Sequence, residues 1–160
     1  MSASAVTLPD VHGQQRWIDR IVDVTGWRQE PGDGVGWEQV EAELGVALPT
    51  DFTELCRRFA PGLFYGYLDL LRPPGEGESW DLLSRWNVCR SEPVVAQKLG
   101  GEPWHRFDMS TTEFIYRVID DPEFKPFTVA DPPRRPFYLP RGQTISSAEE
   151  WDALTGAVGH

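Results

Sequence analysis

The chain has 160 residues and carries 25 acidic against 15 basic side chains, for a formal net charge of −10. That length suits one domain with a real core, whereas two domains would each be small, so a single domain over 1–160 is expected, with 1–10 and 156–160 as loose tails. A surface this acidic repels phosphate backbones and argues against a nucleic-acid binder.

The first element expected is a helix over 14–24, where Trp17/Ile21 and Ile18/Val22 lie one turn apart. Thr25-Gly26-Trp27 ends it, and Glu30 to Gly36 is turn-rich text with Val35 as its only core-forming residue. Trp37 to Gly62 is the most structured stretch. Trp37, Val40 and Leu44 repeat at helical spacing over 37–44, with Glu38, Glu41 and Glu43 mostly on the other face. Gly45 occupies the position where a left-handed residue closes a helix. Leu48-Pro49 turns the chain, because proline disfavours helix in the residue before it. A second helix is expected over 51–60, with Asp51 as its N-cap and Glu54 at capping-box spacing. Its stripe is Phe52, Leu55, Cys56 and Phe59, and Pro61-Gly62 ends it.

Leu63 to Leu71 is dense in large apolar residues, as expected of one strand with both faces largely covered, and Gly66 within it suggests a bulge or a close packing contact. Ser79 to Leu83 allows one helical turn, Arg85 to Arg90 alternates as a second strand would, and 91–99 leans towards a short helix. Pro103 to Asp108 reads as an extended arm. The following helix over 110–120 is strongly marked: Ser110 and Glu113 form a capping box, and Phe114, Ile115, Val118 and Ile119 form one apolar stripe. From Pro122 to Pro140 the Pro-rich text is expected to run extended across the surface, anchored by Phe124, Phe127, Phe137 and Tyr138. Ser147 and Glu150 repeat the capping spacing ahead of a short C-terminal helix. The core expected from these stripes is Trp17, Ile21, Trp37, Leu44, Phe52, Leu55, Phe59, Phe64, Phe114 and Val118.

Little in the chain suggests catalysis. In an extended arm His105 faces away from Arg106, while Asp108 shares Arg106's face, which favours an Arg–Asp pair over a His–Asp dyad. His12 and His160 fall in the expected tails. No nucleophile elbow, phosphate loop or metal-ligand spacing is present, so no catalytic residue, metal or cofactor is expected. Cys56 lies on an apolar helix face as a buried thiol, far in sequence from Cys89. No segment has the apolar length to span a membrane and the N-terminus lacks the pattern of a signal peptide, so a cytoplasmic protein without a membrane partner is expected. Of the tryptophans, Trp17, Trp37 and Trp151 are on core faces, while Trp27, Trp80 and Trp104 stand at element ends as candidates for a partly exposed patch. PPRRP (132–136) reads as a rigid tail segment rather than a ligand motif.

The order W-x-x-V-E-x-x-L-G-x-x-L-P-x-D-F, then a helix and Pro-Gly before an aromatic strand, resembles the signature of the SUKH superfamily. That superfamily comprises bacterial immunity proteins and fungal cell-wall regulators of the Smi/Knr type. Trp37, Leu44, Gly45, Leu48, Pro49, Phe52 and Gly62 match the motif. The block WHRFDMSTTEFIYRVI, with EFKPF behind it, looks like a C-terminal block of actinobacterial members. The resemblance implies an α+β fold: a small, mostly antiparallel sheet, on 63–71 and 86–90, flanked by helices. It implies no catalytic residues. Members usually have a longer middle than the dozen or so residues found here before Arg85, which implies a smaller sheet or a helix replacing part of it.

The function implied is that of an immunity protein binding a polymorphic toxin of nuclease or deaminase type; a regulatory scaffold of the fungal kind is the alternative. A scaffold is expected to bring long disordered arms, which favours the antidote. Residues 1–80 hold 13 acidic and 6 basic side chains against 12 and 9 in 81–160. A basic toxin domain therefore meets its complement in the first half, and Asp33, Glu38, Glu41, Asp69, Glu76, Glu78 and Trp80 are the expected contact residues. Glu38, Glu41 and Glu43, with Asp33 nearby, meet Asp69, Glu76 and Glu78 if the helix and strand pack side by side. A merely solvated face gives the same pattern.

Overall fold

The structure, a computed structural model, describes residues 11–28, 36–66, 68–71, 82–84, 87, 107–126 and 135–156. Helices α1 (Val11–Thr25), α2 (Trp37–Leu44), α3 (Thr50–Arg58), α4 (Thr111–Asp120) and α5 (Ala148–Thr155) flank an antiparallel sheet. Its strands are β1 (Gly62–Phe64), β2 (Leu68–Leu70) and β3 (Tyr138–Pro140), in the order β2-β1-β3, so the fold is α+β.

The helices begin and end largely where the capping chemistry directs. Gly45 is left-handed at φ 72° and returns its N–H to the Glu41 carbonyl. Ser110 Oγ accepts from Glu113 N at 3.2 Å, and Ser147 Oγ from Glu150 N at 3.1 Å, each satisfying a first-turn donor. α1 starts earlier than expected and takes His12 out of the tail. The core face of α1 also differs from expectation. Ile18 and Ile21 are buried in the cluster that includes Ile115, Val118 and Ile119 of α4, whereas Trp17 is only half-buried.

Asp51 is the main correction among the helices. Pro49, not Asp51, precedes the first turn of α3, and Asp51 lies inside the helix, buried at 2% exposure. Its Oδ2 accepts from Thr112 N at 2.8 Å and from Thr112 Oγ1 at 3.2 Å. It thus caps α4, 61 residues away, alongside that helix's own Ser110. A carboxylate placed at two helix N-termini is stabilised by both backbone dipoles.

The stretch 63–71 is a hairpin, not one strand. β1 pairs with β2 through Gly62↔Leu70, Leu63↔Asp69 and Phe64↔Leu68. Tyr65 (φ 56°) and Gly66 (φ 81°) are both left-handed, so Gly66 makes a turn and not a bulge. Tyr138 to Pro140 also departs from expectation: it pairs with β1 as β3 (Gly62↔Pro140, Leu63↔Leu139, Phe64↔Tyr138). The Tyr138 hydroxyl donates to the Ala60 carbonyl and its ring packs on Phe59 and Phe64. A Cβ on Gly62 would collide with the Leu139 backbone carbonyl, so β1 and β3 approach this closely only with glycine there.

The core joins α1, α3, α4 and the inner face of the sheet: Ile18, Ile21, Leu55, Cys56, Phe59, Phe64, Leu70, Ile115, Val118, Ile119 and Tyr138. Trp37, Phe52 and Phe114 are half-buried against it, Trp37 edge-on to Phe52 at 5.9 Å. Leu44 is half-buried and outside that cluster. The outer face of the sheet is not covered as one of two buried faces would be, since Leu63 and Leu139 are half-buried and Asp69 is exposed. Residues 82–84 are helical, in part as expected, but so is Asn87, inside the expected strand 86–90. The remainder of that strand and the expected helix 91–99 lie outside the described residues, as do Phe127 and 132–134 of PPRRP.

Candidate partner-binding surfaces

The expected contact residues do not come together as one face. Among the described residues the main packings are α1 with α4, α3 with both, and β1 with β2 and β3; α2 and β2 do not pack side by side. The glutamates of α2 and Asp69 of β2 are therefore not joined through such a contact. Asp33, Glu76, Glu78 and Trp80 lie outside the described residues, as do Trp104, His105 and Arg106.

On α2 the acids differ in what they do. Glu41 Oε1 accepts from Leu48 N at 2.8 Å, so this carboxylate closes the corner between α2 and α3. That bond satisfies a backbone donor the turn would otherwise leave to water. Glu38 and Glu43 are exposed and make no hydrogen bond or ion pair among the described residues. They stand on a helix whose only buried residue is Val40. The Trp37 indole N–H is buried without a partner among the described residues.

Asp69 is already matched. Arg141, just beyond β3, sends Nη2 to both of its carboxylate oxygens at 2.9 Å, which ties β2 to the far end of the sheet. The pair walls an open groove of about 440 Å³ along the outer sheet face, over Leu63, Leu139 and Pro140. A carboxylate held this way offers a partner less charge than a free one.

The tryptophans sort only in part as expected. Trp27 is half-buried; it stacks on Phe59, meets Tyr138 edge-on at 4.9 Å, and donates its indole N–H to the Arg58 carbonyl at 3.1 Å. It packs on the core while staying partly exposed, as expected; Trp80 and Trp104, its expected companions in a patch, lie outside the described residues. Trp151, expected on a core face, is 43% exposed and touches Phe137 edge-on.

One surface cluster escaped the sequence reading. Trp17 of α1 and Tyr116 of α4 lie 5.2 Å apart, and the Arg20 guanidinium stands 4.8 Å over the first ring and 5.5 Å over the second. Arg16 stands 5.7 Å over Trp17. The Tyr116 hydroxyl donates to Asp120 Oδ2 at 2.8 Å, and this bond, with burial, pushes the phenol above its ordinary value. Burial, then the Asp120 charge, raises Tyr65 likewise. The sequence signal would have been arginines one residue before and three after a helical tryptophan.

Among the described residues no group of His, Cys, Asp and Glu is set to hold a metal, and no helix is long and apolar enough to cross a membrane. No family model matches the chain, and neither the curated proteins nor the solved structures yield a match.

Proposed function

We propose that this protein is a SUKH-type immunity protein that neutralises a nucleic-acid-processing toxin in the cytoplasm by binding it. The observation that carries the reading is the outer limb α2, where Glu38 and Glu43 are exposed and without partners among the described residues, on a chain of net charge −10. A toxin domain that holds phosphate needs a basic face, and such carboxylates complement it. The reading is further supported by the resemblance over Trp37 to Gly62, whose leucine, glycine and proline positions fall at the α2–α3 corner.

The test is coexpression with a nucleic-acid-processing toxin domain identified from the gene's neighbourhood. Rescue of growth is expected, with an association rate that falls as salt rises while dissociation changes less. Glu38→Lys combined with Glu43→Lys should abolish rescue and flatten the salt slope. Binding that survives both reversals with an unchanged slope would reject α2 as the interface. Absence of rescue by the unaltered chain would reject the immunity reading itself.

A further inference from the structure

The described arginines fall into two groups. Arg28, Arg57, Arg58, Arg117 and Arg141 each lie within ion-pair distance of a carboxylate, and Arg135 donates to the Leu154 carbonyl at 2.8 Å. Arg16 and Arg20 do neither; their guanidinium groups rest on the rings of Trp17 and Tyr116. Both are exposed and stand one turn apart on α1. Packing between α1 and α4 accounts for the two half-buried rings, but it requires no cation above them. Neither forms an ion pair among the described residues: Asp19, between them on α1, is engaged by Arg58, and Asp120 accepts from the Tyr116 hydroxyl.

A guanidinium held over a ring has less rotamer freedom left to lose on binding, and its fork of N–H groups matches a carboxylate in bidentate geometry. Tryptophan, tyrosine and arginine are also the residues that concentrate binding energy at protein interfaces. From these features we propose that Arg16, Arg20, Trp17 and Tyr116 form a docking platform for an acidic segment of a partner protein, with the two arginines gripping its Asp or Glu side chains. The site is independent of α2 and does not rest on the toxin reading. Nucleic acid is the less favoured occupant, because the net charge of −10 repels a long polyanion while a short acidic peptide presents few charges.

The probe is a fluorescently labelled peptide carrying three glutamates among Gly and Ser residues, titrated against the full chain at low ionic strength and followed by anisotropy. Saturable binding is expected, weakened by about tenfold or more in Arg20→Ala and in Arg16→Ala. Arg20→Lys keeps the charge but loses the planar N–H fork, and should also weaken binding. Arg57→Ala, on the far more local Glu54 pair, should leave affinity unchanged within about twofold. Circular dichroism and melting temperature verify that each variant folds; Trp17→Leu is added as a ring deletion that keeps apolar bulk. The proposal is overturned by a lack of saturable binding, by equal loss in Arg57→Ala, or by an octathymidylate probe that binds as tightly as the peptide.

Discussion

Helices α2 and α3 are nearly equal in length and joined by one corner, yet they occupy opposite situations. α3 buries Asp51, Leu55 and Cys56 and leads into the fully buried Phe59, packing on both α1 and α4. α2 buries Val40 alone and is held by its glycine cap, the Glu41–Leu48 bond and the Trp37–Phe52 contact. Stability is thus concentrated in the inner helix. The outer one can present charge to a partner without disturbing the core, which is why a binding surface is better sought there.

The sharpest way to break this comparison is to empty the inner helix's end. Phe59→Ala should cost about 3–5 kcal/mol, read from urea denaturation, because three aromatic neighbours, Trp27, Phe64 and Tyr138, lose their shared packing. Asp51→Ala should follow at about 2–4 kcal/mol, since it strips a cap and leaves the buried Thr112 backbone N–H without an acceptor. Val40→Ala should cost only about 1–2 kcal/mol, having fewer atoms to lose and a looser surround. A value matching that of Phe59→Ala would place α2 in the core and end the distinction. Glu41→Ala should cost about 1 kcal/mol through the freed Leu48 N–H. Glu38→Lys with Glu43→Lys should change stability by no more than about 0.5 kcal/mol, whatever it does to binding.

Much of this was legible because its causes are local. Gly45, Ser110 with Glu113, and Ser147 with Glu150 mark helix ends through groups within four residues of one another, and the Leu55, Cys56 and Phe59 stripe announces burial by spacing alone. What stayed hidden depends on distant partners. Nothing near Asp51 indicates that its acceptor serves Thr112. The hairpin turn places a tyrosine, not Asn or Asp, beside its glycine, so the usual signal was missing. β3 lies in Pro-rich text whose strand character comes from pairing with β1. The candidate surface was legible only in part: Glu38 and Glu43 are exposed as an acidic helix face suggests, but Glu41 and Asp69 proved to be engaged.

The central position of β1 also sets an order of events in time. Its pairing with β2 closes across a tight turn, which takes microseconds. Its pairing with β3 must first bring together groups such as Tyr138 and Ala60, 78 residues apart. At about 0.6 kcal/mol per doubling of the connection, that closure is roughly 3 kcal/mol less favourable than the hairpin's. The third strand should therefore dock late, after α3 and α4 have formed the apolar floor on which Tyr138 rests. Weakening Tyr138 would then hasten unfolding while leaving the refolding rate nearly untouched.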